Sequence, residues 1–237
     1  MAADRTDRNP PSPEGGGNAS EKRVRLLPAE GREPLPGHRP VLQSRGWRSG
    51  REGQALRTVE VFVTPHAFVR LCAHAGSDLD NEVGGILLGQ WRADSATARQ
   101  YIVVEAALRA RHTRQGSAFV TFTPDSLVAL HEEKDERYPA KELVGWYHTH
   151  PRMGVFLSGY DLWLHEHFFP EPWQVALVID PHFGAGGFFV RDLDGHLDAH
   201  MYSGFYELMP RGSSSVVHWK NLEPDAELER AHGGTPS

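Results

Sequence analysis

The stretch Trp173-Gln174-Val175-Ala176-Leu177-Val178-Ile179-Asp180 is apolar almost without interruption. A strand with one face in water alternates apolar and polar residues, because successive side chains point to opposite faces. A run without that alternation marks a strand covered on both faces. Such a strand belongs inside a sheet with helices packed on each side, and the flanking sequence supplies them.

"TVEVFVT" (Thr58 to Thr64) has strand composition. Pro65 follows, where the first turn of a helix tolerates it, ahead of Phe68, Val69, Leu71 and Cys72 at helical spacing. "VGGILLGQW", "YIVVEAALRA" and "FVTFT" are read as strands, and Pro124 with Asp125 opens a helix to about Arg137 that carries Leu127, Val128 and Leu130. "ELVGWYHTH" is a strand, "SGYDLWLHEHFF" a helix, and strands at "GGFFVRDL" and "LDAHMYSGFYEL" close the series. Helices interleaved with strands predict an α/β fold, a mixed sheet flanked by helices. No internal repeat is present, which argues against solenoids and propellers.

The ends differ from this middle. Residues 1–56 contain "PPSPEGGG", "LPAEGREPLPGHRP" and "RSGREGQ", and are expected to be a disordered basic Pro/Gly-rich tail. Residues 57–210 are expected to form the domain and 211–237 a polar C-terminal tail. Residues 1–57 hold 11 basic and 7 acidic side chains, so the remaining 14 basic and 24 acidic ones make the folded part strongly acidic. That excludes non-specific nucleic-acid binding, which needs Lys and Arg against phosphate. With Cys72 as the one cysteine, neither an internal disulfide nor a thiolate metal cluster can form, which favours a reducing, cytoplasmic setting. The chain has no apolar signal segment at its start and no run of about eighteen apolar residues to span a membrane.

Chemistry concentrates in "GWYHTHPRMGVFLSGYDLWLHEHF", Gly145 to Phe168. Each part has an ordinary structural reading: two core histidines, a Ser-x-x-Asp capping box with Ser158 as N-cap and Asp161 in the first turn, and a solvated Glu82 at a strand entrance. As a set they point to a metal. On a strand, His148 and His150 share a side with Thr149 opposite, so both imidazoles address one point. The loop "PRMGVFL" is long enough to bring Asp161 back to that strand end, and His, His and carboxylate is a familiar donor set for zinc with a fourth position open to water. The water needs a base and the leaving amine an acid. Glu82, at the mouth of an apolar strand, has the chemistry for both. The Ser158 hydroxyl could donate to a developing oxyanion, typically worth about 3 kcal/mol.

Glu82, His148-Thr149-His150-Pro151 and, six residues on, Ser158-Gly159-Tyr160-Asp161 together resemble the signature of the JAMM metalloproteases, also called the Mov34/MPN/PAD-1 or JAB domain. "EVGGILLGQW" is similar to the family's Glu-bearing strand and "LVGWYHTHP" to its metal-bearing strand, and the resemblance runs from about Val59 to Leu208. It implies a cytidine-deaminase-like α/β core, one Zn2+ per chain on His148, His150 and Asp161, Glu82 as general base and acid, and Ser158 as oxyanion support. It implies a zinc isopeptidase or peptidase that cuts after the C-terminal Gly-Gly of a ubiquitin-like or sulfur-carrier protein. The family includes cellular tag-stripping, bacterial sulfur-transfer and phage tail-assembly forms; compact size without an appended peptidoglycan hydrolase segment or membrane signal leans towards a stand-alone bacterial type, and charge and hydropathy give no nucleic-acid or membrane partner. The alternative is a protein-binding scaffold in which the metal site is structural. A nucleobase deaminase would need a Cys-x-x-Cys pair, which is absent.

His165 and His167 lie two apart on a helix, about 200° around from each other, so they do not share an ion and are read as surface or supporting groups. Cys72 is read as a buried small hydrophobe, Trp146 and Tyr147 as core, and Met153, Val155 and Phe156 as a lining for an extended substrate tail.

Overall fold

The computed structural model describes residues 31–53, 55–110, 124–210 and 212–233. Among these, ten strands form one mixed sheet: β1 (Leu35–Gly37), β2 (Ser44–Ser49), β3 (Glu60–Val63), β4 (Gly84–Asp94), β5 (Gln100–Arg109), β6 (Glu142–Thr149), β7 (Val175–Asp180), β8 (Ala185–Phe189), β9 (Phe205–Leu208) and β10 (Leu222–Pro224). Four helices accompany them: α1 (Pro65–Ala75), α2 (Pro124–Arg137), α3 (Gly159–Phe168) and α4 (Ala226–Gly233). The sheet order is β10-β2-β9-β3-β5-β4-β6-β7-β8, with β1 parallel to the far end of β4. β3 runs parallel to β5 and β9, and β6 to β7; the other neighbours are antiparallel.

β7 shows why its sequence lacks alternation. Val175, Leu177 and Ile179 enter the apolar layer that contains Phe68 and Leu71 of α1, while Ala176 and Val178 enter the layer that contains Leu164 and Phe169 at α3. Both faces are dry. Thr64 caps α1 through its hydroxyl, which accepts from Ala67 N, and Pro65 occupies the first turn, where a missing N–H costs nothing. The buried face is Ala67, Phe68, Leu71, His74 and Ala75, whereas Val69 is 50% exposed: the helical stripe is set by the i, i+3, i+7 positions. On α2 the same rule buries Leu130 and leaves Val128 facing out.

A bulge in β6 decides which face carries which residue. Against β4 the pairing runs Leu87↔Gly145 and then Leu88↔Leu143, so Val144 is skipped. One extra residue changes the parity of everything on one side of it. Val144 and Tyr147 therefore share the α1 layer, and Trp146 lies in the α3 layer. His148, two residues after Trp146, follows it to that side. Gly85 permits the β4 end of this pairing, since a Cβ there would sit 1.9 Å from the Leu108 carbonyl oxygen and 2.9 Å from the Tyr147 ring.

Three sequence expectations are corrected here. Residues 31–53 and 55–56, assigned to a disordered tail, include β1 and β2; Trp47 donates from its indole to the buried Glu207 at 3.1 Å, and β2 zips onto both β9 and β10. The stretch has few apolar residues, and long-range pairing orders it. The C-terminal 211–237, assigned to a polar tail, holds β10 and α4; Glu207 also accepts from Ser215 Oγ and Val216 N, and Trp219 packs against Phe68. "LDAHMYSGFYEL" is a strand only over Phe205–Leu208, because the Asp198 carboxylate accepts from His200 N and Met201 N and folds the preceding residues into a turn. The strand expected at "FVTFT" lies outside the described residues.

Two outcomes follow from this packing. The His74 Nδ1 lies 2.8 Å from the Tyr147 hydroxyl, and burial, helped by the Arg109 cation, pushes its imidazole down to about 4. The unfolded chain takes up that proton near pH 6.5, so stability is complete above about pH 6.5 and declines as pH falls towards 4. Urea midpoints measured across that window should show this slope, and it should be shallower in His74→Gln. Gly85→Ala should cost roughly 2–4 kcal/mol in the same assay, because backbone rather than a movable side chain blocks the new methyl.

Candidate metal centre

The centre is assembled where β6 ends. Thr149, between the two histidines, points to the opposite side, as a strand requires. Its Oγ1 accepts from Val83 N at 2.9 Å, and its own N–H donates to Val83 O at 2.9 Å. This pair of bonds fixes the segment carrying Glu82 against the segment carrying the imidazoles. His150 N donates to Ile179 O at 2.9 Å, tying the strand end to β7 on the other side. Thr149 was not singled out in the sequence; its place between two candidate ligands was the available signal.

Asp180, at the end of β7, has its carboxylate fully buried. Oδ1 accepts from Arg152, His182 and Phe183 N–H groups at 3.3, 3.0 and 3.2 Å, and Oδ2 accepts from Gly154 N at 2.7 Å. One carboxylate thus shapes both the turn that leaves His150 and the turn after β7. The turn that leaves His150 contains Arg152 at φ 64°, a left-handed conformation unusual for a side chain with a Cβ, and Gly154 at φ 85°.

α3 then returns to the site. The capping box is present as expected: Ser158 Oγ accepts from Asp161 N at 3.2 Å, and Asp161 Oδ2 accepts from Ser158 N at 2.7 Å. The same Asp161 carboxylate reaches the histidines, with Oδ1 3.4 Å from His148 Nε2 and Oδ2 3.7 Å from His150 Nε2. The two Nε2 atoms are 2.9 Å apart, and Glu82 Oε1 is 3.8 Å from His150 Nε2. The structure therefore brings together Glu82, His148, His150 and Asp161, with Ser158 held next to them through Asp161.

These residues fit a divalent metal. His148, His150 and Asp161 are all buried and offer donor atoms within 4.8 Å of one another. Tetrahedral zinc with bonds near 2.0–2.1 Å places its donors about 3.3 Å apart, and the observed spacings bracket that value. Burial lowers the His148 imidazole below its ordinary range despite the opposing pull of Asp161, so it stays in the neutral form a metal requires. Burial alone would raise the Asp161 carboxyl; the neighbouring His148 and His150 imidazoles, helped by Ser158, outweigh it and hold the group far below the usual carboxylate range. The Trp146 ring lies flat on His148, centroids 4.7 Å apart and planes at 8°, and Phe156 leans on His150 at 4.6 Å.

Other candidates separate from this centre. His165 is buried and His167 exposed, so the helix divides them as expected. Cys72 is half-buried, and burial pushes its thiol up to about 12, which makes it inert as a nucleophile. Asp192, Asp194 and His196 also cluster, but the site is partly exposed and Asp192 Oδ1 is occupied by the Asp194 and His196 N–H groups of a turn. A cleft of about 700 Å³ sits at the N-terminal ends of β3 and β5, lined among others by Arg57, Glu60, Arg99 and Tyr206, at the opposite end of those strands from the centre.

Residues 56–169 match the family described as JAB1/Mov34/MPN/PAD-1 ubiquitin protease. The chain is 30% identical over 125 residues to COP9 signalosome complex subunit 5 of Caenorhabditis elegans, a match covering 52% of this chain and 32% of that protein. It is 28% identical over 123 residues to the 26S proteasome non-ATPase regulatory subunit 14 of Drosophila melanogaster, covering 52% and 38%. It is 41% identical over 64 residues to the NAD(+) hydrolase TcpA of a Theionarchaea archaeon, covering 27% and 20%. The matched part thus spans well under half of each of these relatives. Residues 56–169, within the mixed sheet flanked by helices, thus form a domain of the JAB1/Mov34/MPN/PAD-1 family.

Proposed function

We propose that the chain is a zinc-dependent isopeptidase or peptidase that cleaves after the C-terminal Gly-Gly tail of a ubiquitin-like or sulfur-carrier protein. The observation that carries this reading is the convergence of Glu82 with His148, His150 and Asp161 within a few ångströms, from stretches of chain separated by more than sixty residues. His148, His150 and Asp161 would hold the ion, which would supply Lewis-acid polarisation of the attacked carbonyl and ease deprotonation of the attacking water.

The remaining work falls to the protein's own groups. Glu82, its side chain 5% exposed at the rim of the donor cluster, takes the water's proton on its carboxylate and returns it to the departing amine. Ser158 Oγ is an acceptor towards Asp161 N, which leaves its O–H to donate to a carbonyl oxygen that is gaining charge. Asp161, fixed by Ser158 N, keeps the His148 and His150 rings turned inwards. The turn shaped by Asp180 carries Met153 and leads through Val155 to Phe156, whose ring stands beside His150 where an extended tail would lie. A linear Gly-Gly segment suits a narrow approach because it has no side chain to exclude.

The signalosome and proteasome relatives are named as subunits of large assemblies, and the family is described as a ubiquitin protease; both support a protein-tail substrate. The NAD(+) hydrolase match covers 20% of that protein, too little to carry its activity across.

Purified protein should contain close to one zinc per chain and should release Gly-Gly-terminated ubiquitin-like or sulfur-carrier proteins from conjugates, with the scissile bond identified by mass spectrometry. Removing the metal with a chelator should abolish turnover, and added zinc should restore it. Glu82→Gln should lower kcat by about 10²–10⁴-fold while retaining zinc and the wild-type melting temperature. A metal-free preparation that remained fully active would refute the assignment. Zinc retention together with full partner binding and undiminished function in Glu82→Gln would point instead to a scaffold.

A further inference from the structure

Metal-ligating histidines are usually held by a hydrogen bond from the far ring nitrogen to a carboxylate or carbonyl, which sets the orientation and tautomer of the ring. Here the Nδ1 atoms of both His148 and His150 are buried and have no hydrogen-bond partner among the described residues. Asp161 meets the Nε2 side of His148. The rest of the ring lies against the parallel face of Trp146, 4.7 Å away at 8°.

A stacked ring fixes its neighbour only if it is fixed itself. The Trp146 indole N–H donates to His165 Nδ1 at 3.0 Å, with both side chains buried. Indole nitrogen is a donor only, so Nδ1 of His165 must be the accepting nitrogen and the ring is neutral, with its proton on Nε2. Burial and the Arg191 cation act in the same direction, lowering the His165 imidazole well below its ordinary range. Arg191 in turn donates to Phe169 O at 3.1 Å and Glu171 O at 3.2 Å, anchoring the end of α3 from which His165 projects. Phe169 stacks on both Trp146 and His165, at 5.8 and 6.2 Å.

A core histidine that merely fills space is the competing account. An apolar side chain would fill the same space without the desolvation cost of an imidazole whose Nε2 is also buried without a partner among the described residues. What the imidazole adds is an acceptor for the indole N–H, a directional contact that an apolar side chain cannot make. We propose that His165 is a positioning residue for the metal centre: through the Trp146 N–H it selects the indole orientation that aligns His148 for the ion. This rests on the zinc assignment above.

The test is zinc binding by the full-length protein, stripped with chelator and titrated against a chromophoric competitor, together with the visible absorption of the Co2+-loaded form. His165→Leu should weaken zinc binding by about tenfold or more and alter the Co2+ bands. His165→Asn, whose amide oxygen can replace Nδ1 as acceptor, should stay within about twofold of wild type and keep the bands. Trp146→Phe removes the same bond from the donor side and should show a similar loss, with the double variant no worse than either single one. If His165→Leu binds zinc as wild type does with an unchanged Co2+ spectrum, whatever its melting temperature, the proposal is overturned and His165 is a packing residue. Losses that add in the double variant overturn it as well. A wild-type protein that binds no zinc overturns the metal assignment itself, a result visible before any variant is made.

Discussion

The pairing of β4 with β6 is the constraint on which the rest of this molecule depends. Gly84↔His148 and Gly85↔Tyr147 bring two sequence-distant strand ends into register, and the Thr149 and Val83 backbone and hydroxyl bonds close the end of the ladder. A shift of one residue would turn every side chain on β6 to the other face. The imidazoles would then meet the α1 layer instead of the first turn of α3. Specific register is affordable here because both faces of the neighbouring β7 are dry, so a slipped strand would expose apolar surface on one side and bury polar groups on the other.

Several groups at the centre serve two purposes, and the economy has a physical basis. Asp161 completes a capping box and also faces two imidazoles, because a carboxylate has two oxygens and up to four lone-pair sites. Helix capping alone would leave one oxygen idle. Asp180 likewise spends one carboxylate on four backbone N–H groups of two turns, and so sets the path of the chain as it leaves His150. Buried carboxylates are expensive unless fully engaged. Here their engagement gives the site its shape, with rigid strand ends on one side and a helix N-terminus on the other.

The edges of the sheet show the limit of local composition as a guide. β2 contains two arginines, two serines and a glycine in six residues, yet it lies between β9 and β10. Backbone hydrogen bonding and one aromatic side chain order it: Trp47 reaches the fully buried Glu207, which also secures Ser215 and Val216. None of these partners is near Trp47 in sequence.

The succession of strands and helices over the described residues from Thr58 to Arg109 and from Pro124 to Asp180 was legible from residue pattern alone, because burial on one or both faces imposes periods of 3.6 and 2 that do not depend on distant partners. The Ser158 and Asp161 cap was legible for the same reason, its bonds spanning only three residues. The nearness of Glu82 to His150 rested on resemblance and on chemistry, and only the tertiary structure gave it a mechanism, through Thr149 and the β6 bulge at Val144. The bulge left no trace in composition. The ordering of residues 35–49 and 222–233, the Asp180 hub and the contact of His165 with Trp146 were likewise decided by the fold. Each joins groups that are distant along the chain, and one sequence carries no periodicity that reports such a meeting.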